Sequence, residues 1–157
     1  LDERQRIGTV FFMMSEDNVR LQIKQPWMKF GTDAGGGDPR PTTALIHPRS
    51  YGTYTRILGR YVREQGVVPL EDAIRKMSSA VATRLSIPDR GVLREGFYAD
   101  IVIFDPETVI HRATYEEPHQ VSAGIRDVFV NGVAVVRGGE HTGAKPGMIV
   151  RGPGYRP

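Results

Sequence analysis

Cysteine is absent from this 157-residue sequence, which removes disulfides, thiolate zinc sites and cysteine nucleophiles together. Histidine is scarce: His47, His111, His119 and His141 stand alone, with no His-x-His pair and no His-Glu-x-x-His. A self-contained catalytic zinc site takes three protein ligands, and no local grouping supplies them. Long apolar runs are also missing. The longest, ending Val10-Phe11-Phe12-Met13-Met14, has strand length and falls well short of the roughly 18 to 20 residues that span a bilayer. No membrane association is expected. No basic leader precedes an apolar segment and a small-residue cleavage site, so a cytoplasmic location is expected. The chain opens on Leu1 rather than Met, and its natural start is expected upstream. Gly35-Gly36-Gly37 lacks a following Gly-Lys-Ser/Thr and is not a phosphate-binding loop. Ser78-Ser79 falls in a helical pattern with no general base nearby, which argues against a serine nucleophile.

Hydrophobic residues make up 39% of the chain and charged residues 25%, the balance of a globular domain. The formal net charge is +3. Only four of the 21 basic residues are lysines (Lys24, Lys29, Lys76, Lys145), leaving 17 arginines spread from Arg4 to Arg156 with acids between them. A nucleic-acid footprint clusters on one face, so no nucleic-acid partner is expected.

Residues 7–14 read as a strand buried on both faces. Ser15 is placed to cap a helix over 16–24, with Glu16 and Asp17 in its first turn, and Pro26 stops it. Trp27-Met28-Lys29-Phe30 then leads into a second strand, giving a compact βαβ unit closed by Asp33. Residues 34–52 form a long loop rich in glycine and proline. Tyr54, Ile57, Leu58, Tyr61 and Val62 follow as one helical stripe, with Gly66 suited to the C-cap. Pro69 opens a second helix whose inner face is Leu70, Ile74, Met77, Val81 and Leu85, and Pro88 ends it. Beyond it, strands are expected at 91–96, 99–104, 128–136 and 148–151. Within 128–136, Asn131-Gly132 marks a hairpin turn, since both central residues take positive φ. The chain thus divides into an α/β part to about residue 88 and a small all-β part.

Chemistry concentrates where the second expected strand ends. In parallel α/β folds the reacting groups sit at strand ends, and Asp33 occupies that position just before the glycine-rich loop. It is a candidate metal ligand or proton shuttle. About fifteen residues on, Ile46-His47-Pro48-Arg49-Ser50-Tyr51-Gly52 offers His47, Arg49 and Tyr51 toward a ligand above the strand ends. An Arg fork suits a carboxylate ligand; equally, Arg49 could pair with a nearby acid of the chain. His111, His119 and His141 fall in the all-β part and read as exposed structural residues. Asp100 and Asp105 read as turn and edge residues.

Phe30-Gly31-Thr32-Asp33, then His47-Pro48-Arg49-Ser50-Tyr51-Gly52-Thr53, then Ile57-Leu58-Gly59-Arg60-Tyr61-Val62-Arg63-Glu64, together resemble the C-terminal portion of N-acyl-D-amino-acid deacylases of the metal-dependent amidohydrolase superfamily. The likeness continues through Arg75-Lys76-Met77, Asp89-Arg90-Gly91, Gly96 to Pro106, Val130-Asn131-Gly132 and Thr142-Gly143 to Pro146-Gly147. Val81 departs from it, standing where the family usually has proline. The resemblance implies the last βα units of a (β/α)8 barrel over residues 1–88, followed by the C-terminal share of a small β-sandwich over 89–157. A complete barrel takes roughly 250 residues, so this chain holds part of one. Zinc is the implied cofactor, with Asp33 as the single candidate ligand and proton relay, and an N-acyl-D-amino acid as substrate. His47, Arg49 and Tyr51 are the implied substrate-binding group. The family's histidine ligands have no counterpart here, so the fragment alone is expected to be inactive. Two rival readings stand beside it. One is a non-catalytic remnant or module acting by pairing with another chain; the other is a cyclic-amide hydrolase of the dihydroorotase or hydantoinase kind.

Two parallel strands taken from a barrel leave unpaired edges, which invite pairing with another chain. The expectation is that this chain associates with its missing N-terminal part or with itself. A single monomeric species by light scattering counts against the barrel-fragment reading.

Overall fold

The computed structural model describes residues 11, 13–35 and 46–156, and among these the helices come first and a small antiparallel sheet last. Helix α1 (Glu16–Lys24) begins as its sequence dictates. The Asn18 N–H donates to Ser15 Oγ at 3.1 Å, and Glu16 and Asp17 occupy the first turn. After Pro26 the Met28 N–H returns to the Gln25 carbonyl, closing a turn.

Helix α2 (Arg49–Arg56) runs without interruption into a π-helical segment, Ile57–Glu64. Here the Gln65 N–H reaches the Arg60 carbonyl at 3.0 Å, a five-residue spacing. Gly66 ends the segment with φ of 58° and donates to the Val62 carbonyl at 3.1 Å, the glycine C-cap expected from sequence. Ile57, Leu58 and Tyr61 enter the core, whereas Tyr54, expected on the same stripe, is exposed. Gly59 lies against the chain at 109–110. A Cβ there would stand 2.3 Å from Ile110 Cδ1 and 2.6 Å from the Val109 carbonyl oxygen.

One continuous helix was expected beyond Pro69, but the structure breaks it in two. Helices α3 (Leu70–Met77) and α4 (Ser79–Arg84) meet at Ser78, whose φ and ψ are −125° and −88°. The Ser78 hydroxyl donates back to the Ile74 carbonyl at 2.7 Å, the local competition that bends helices at serine. Leu85, expected on the inner face, is exposed in consequence; Met77 packs against the core as expected. That core gathers Ile23, Ile57, Leu58, Tyr61, Val68, Ala73 and Val109, with Phe30, Phe104 and Ile125 against it.

Strands β1 (Ile101–Phe104), β2 (Ile125–Val130), β3 (Val133–Arg137) and β4 (Glu140–His141) form one antiparallel sheet in chain order. The β2–β3 hairpin turns at Asn131 and Gly132, with φ of 50° and 81°. Asp100 holds that turn, accepting the Asn131 N–H at 2.8 Å and pairing with Arg90. Asp105 accepts the Glu107 N–H and the Thr108 hydroxyl, both at 2.9 Å, closing the turn after β1.

Three expected strands are not formed. Residues 27–30 are turn and irregular backbone; the Phe30 N–H goes to the Lys76 carbonyl of α3 at 3.3 Å rather than to a neighbouring strand. Residues 91–96 are held in turns by Asp89, Gly91 and Gly96, all at positive φ. Residues 148–151 are irregular, with Ile149 exposed. Of the first expected strand, residues 7–10 and 12 lie outside the described residues, as do residues 36–45 of the loop. Among the described residues no helix is long and apolar enough to cross a membrane.

Lys76 is fully buried. Its Nζ donates to the Ile23 carbonyl at 2.7 Å and pairs with Asp72 at 2.8 Å. Lys76→Met leaves the Ile23 carbonyl without a partner, an expected loss of about 2 kcal/mol. The check is urea denaturation, where the midpoint falls and the slope does not change.

Candidate active site

Asp33 sits where the irregular segment after α1 turns sharply. Its φ of 48° is left-handed, a conformation aspartate tolerates better than most residues. The turn throws its carboxylate outward, leaving the side chain 86% exposed and 2.9 Å from Arg49 Nη2. Arg49 is the first residue of α2 and is itself 43% exposed. A surface pair of this kind contributes little stability. Its significance is geometric: Asp33 and Arg49, sixteen positions apart in sequence, meet at one point. The acid that Arg49 meets within this chain is Asp33.

His47 and Tyr51 flank Arg49 on the same turn. The Arg49 backbone N–H donates to His47 Nδ1 at 3.1 Å, so that nitrogen carries no proton and the imidazole proton is assigned to Nε2. His47 Nε2 lies 3.2 Å from the Tyr115 hydroxyl, and the rings meet edge to face at 5.2 Å. Desolvation, then the Arg49 charge, holds the His47 pKa below its ordinary value. The Tyr51 hydroxyl lies 3.3 Å from His119 Nδ1, again with the rings edge to face. Ser122 bonds the Thr55 hydroxyl at 2.6 Å and donates to the Tyr51 carbonyl at 3.1 Å. Residues 111–122 thus run along α2.

His111 and His119 were expected on the surface of the all-β part. The structure corrects this, since both are partly buried against α2. Arg56 Nη1 donates to His111 Nε2 at 3.3 Å, which assigns the proton to Nδ1, a buried nitrogen with no hydrogen-bond partner among the described residues. Burial, then Arg56 and Arg60, depresses the His111 pKa. His141 lies exposed on β4, as expected.

Sequence reasoning missed the cluster around Glu16. Its Oε1 accepts from Arg56 at 2.9 Å, its Oε2 accepts the Tyr61 hydroxyl at 2.8 Å, and Arg60 stands at 3.6 Å. Burial works to raise the Glu16 pKa, but the Tyr61 hydrogen bond and the charges of Arg60, Arg56 and Arg20 outweigh it. Glu16 reads in sequence as a first-turn acid, which it is. Nothing local announces partners 40 and 45 residues away. Glu16, Arg56 and Tyr61 face a cavity of about 750 Å³ whose polar lining also includes His47, Arg49 and His111, with Phe30 and Ile57 on its apolar wall.

Among the described residues no three His, Asp or Glu side chains gather to hold a metal ion. Asp33 offers one carboxylate whose near neighbour is a cation, so the described residues do not by themselves make a zinc site, which needs three protein ligands.

Residues 17–136 match the Amidohydrolase family, and the chain belongs to it. It is 40% identical over 148 residues, 94% of its length, to D-aminoacylase of Alcaligenes xylosoxydans xylosoxydans. To N-acyl-D-aspartate deacylase of the same organism it is 42% identical over 144 residues, 91% of its length. It spans 30% and 28% of those two proteins. Among solved structures, a crystal structure of D-aminoacylase superposes with a TM-score of 0.77 at 41% identity, over 85% of this chain and 27% of that one. N-acyl-D-glutamate deacylase from Bordetella bronchiseptica, complexed with zinc and a phosphonate mimic of the tetrahedral intermediate, gives 0.71 at 44%, over 78% and 25%.

The two depressed histidines set a pH dependence. Both bind protons more weakly folded than unfolded, where the ordinary value is 6.5. Their contribution is complete above that value and declines as pH falls below it toward the folded pKa values. Thermal melts from pH 8 to pH 5 are expected to show stability falling below about 6.5, with a shallower fall in His47→Gln.

Proposed function

We propose that this chain supplies the C-terminal share of a zinc-dependent deacylase that hydrolyses the amide bond of N-acyl-D-amino acids, yielding a carboxylate and a D-amino acid. The observation that carries this reading is the meeting of Asp33 and Arg49 beside the cavity, in a chain 40% identical to D-aminoacylase over 94% of its length. Asp33 contributes one oxygen donor to a metal whose remaining ligands belong to the rest of the protein, and it holds or passes a proton at its carboxylate. Arg49 receives the α-carboxylate that every N-acyl-D-amino acid carries, through the two-pronged geometry of its guanidinium. His47 and Tyr51 flank it. The chain spans 30% of D-aminoacylase, and in this reading the other metal ligands lie outside it. In this reading residues 1–88 are the last units of a (β/α)8 barrel, residues 89–157 are part of a β-sandwich, and the chain works paired with the remainder.

A cyclic-amide substrate is the second reading. It draws on the dihydroorotase of Lactobacillus acidophilus, 34% identical over 76 residues, but that match takes in 48% of this chain against 94% for D-aminoacylase. The linear amide is preferred on coverage.

The deciding experiment uses the natural gene product that carries these residues. It is expected to release D-amino acids from their N-acetyl derivatives, with Asp33→Ala lowering kcat at least 100-fold, the scale of a lost proton-transfer group. Full activity in Asp33→Ala overturns the assignment. In the 157-residue chain alone, elemental analysis is expected to find zinc well below one equivalent; stoichiometric zinc with turnover contradicts the shared site.

A further inference from the structure

We infer that Tyr115 and His119 are positioning residues for Arg49, gripping the turn into α2 at His47 and Tyr51 on either side of it. The two contacts form a ladder. Tyr115 meets His47 and His119 meets Tyr51, each pair 68 residues apart in sequence and each combining an edge-to-face ring contact with a hydrogen bond. Arg49 lies midway between the rungs, and its backbone is tied at both ends. Its N–H donates to His47 Nδ1 at 3.1 Å, and its carbonyl accepts the Thr53 hydroxyl at 2.9 Å.

A proline at position 48 leaves the start of α2 without a side-chain cap of its own. The His47 ring supplies an acceptor for the Arg49 N–H, and it does so only in one tautomer. With Nδ1 accepting, the ring proton sits on Nε2 and points at the Tyr115 hydroxyl. Tyr115 therefore does more than pack: its oxygen favours the tautomer that caps α2 and so aims Arg49 at Asp33. His119 performs the matching service one turn later, holding the Tyr51 hydroxyl while Ser122 holds the Tyr51 carbonyl. The consequence is that residues of the sheet-bearing part set the direction of an arginine on the helical part. The catalytic importance of this rests on the proposed role of Arg49; the positioning itself does not.

The test is a long-range proton–nitrogen NMR spectrum of the histidine rings in the nitrogen-15-labelled chain above pH 7. His47 is expected as the Nε2–H tautomer. Tyr115→Phe keeps the ring edge and removes the acceptor, so the His47 Nε2 and Arg49 amide resonances shift while those of His141 stay in place. His119→Ala shifts the Arg49 amide through Tyr51. A His47 ring protonated at Nδ1, or an Arg49 amide unmoved in both variants, overturns the inference. Should Tyr115→Phe fail to fold, the wild-type tautomer and the His119→Ala spectrum decide it. In the natural gene product, Tyr115→Phe is expected to raise KM roughly fivefold with kcat held, the scale of one hydrogen bond. An unchanged KM beside a shifted Arg49 amide upholds the clamp and removes the carboxylate role of Arg49.

Discussion

The buried ammonium of Lys76 holds the helical part together. Lys76 is shut off from solvent, so its ammonium takes protein acceptors, and these lie on different elements. Its ammonium takes the Ile23 carbonyl near the end of α1, a group that helix termination leaves unpaired, and the Asp72 carboxylate one turn back on α3. The hydrogen bonds to Lys76 and Arg75 hold the Asp72 pKa below its ordinary value. The Lys76 carbonyl then receives the Phe30 N–H, three residues before Asp33. One residue thus joins α1, α3 and the segment that carries the candidate reacting group.

Around that bracket the helices are fastened to one another by charge, and the sheet part is fastened by close backbone contact. Glu16 ties α1 to the π segment through Arg56 and Tyr61, and Tyr61 is among the most buried residues of the core. The sheet part joins at a position that tolerates no side chain, where Gly59 admits Val109 and Ile110; within that part, a Cβ on Gly124 would lie 2.4 Å from the Val109 backbone. Interiors are close-packed, so such contacts set spacing with little freedom. The candidate site inherits its geometry from both fastenings: Asp33 from Lys76, Arg49 from the segment laid along α2.

Local signals were legible wherever the physics was local. Ser15 and the acids after it start α1, Gly66 stops the π segment, and Asn131-Gly132 turns the hairpin, because each depends on a few neighbouring backbone groups. Expectations failed where the outcome depended on a distant partner. The apolar texture of 27–30 and 148–151 suggested strands, but a strand needs a ladder, and Phe30 donates to a helix carbonyl instead. Residues 91–96 were expected as a strand, yet the glycines that bound them take positive φ and fold them into turns. At Ser78 a hydroxyl competing for the Ile74 carbonyl divided what periodicity presented as one helix.

The family, the candidate residues Asp33, His47, Arg49 and Tyr51, and the chemistry those residue types can offer are all legible in the chain, because identity and order are enough to carry them. That Arg49 pairs with Asp33, that His111 and His119 lie against α2 rather than on the surface, and that Glu16 anchors a helix-to-helix cluster came from folding. Those facts depend on which side chains meet across 16 to 68 residues of chain, and such meetings are settled by the packing of the whole core rather than by any stretch of it.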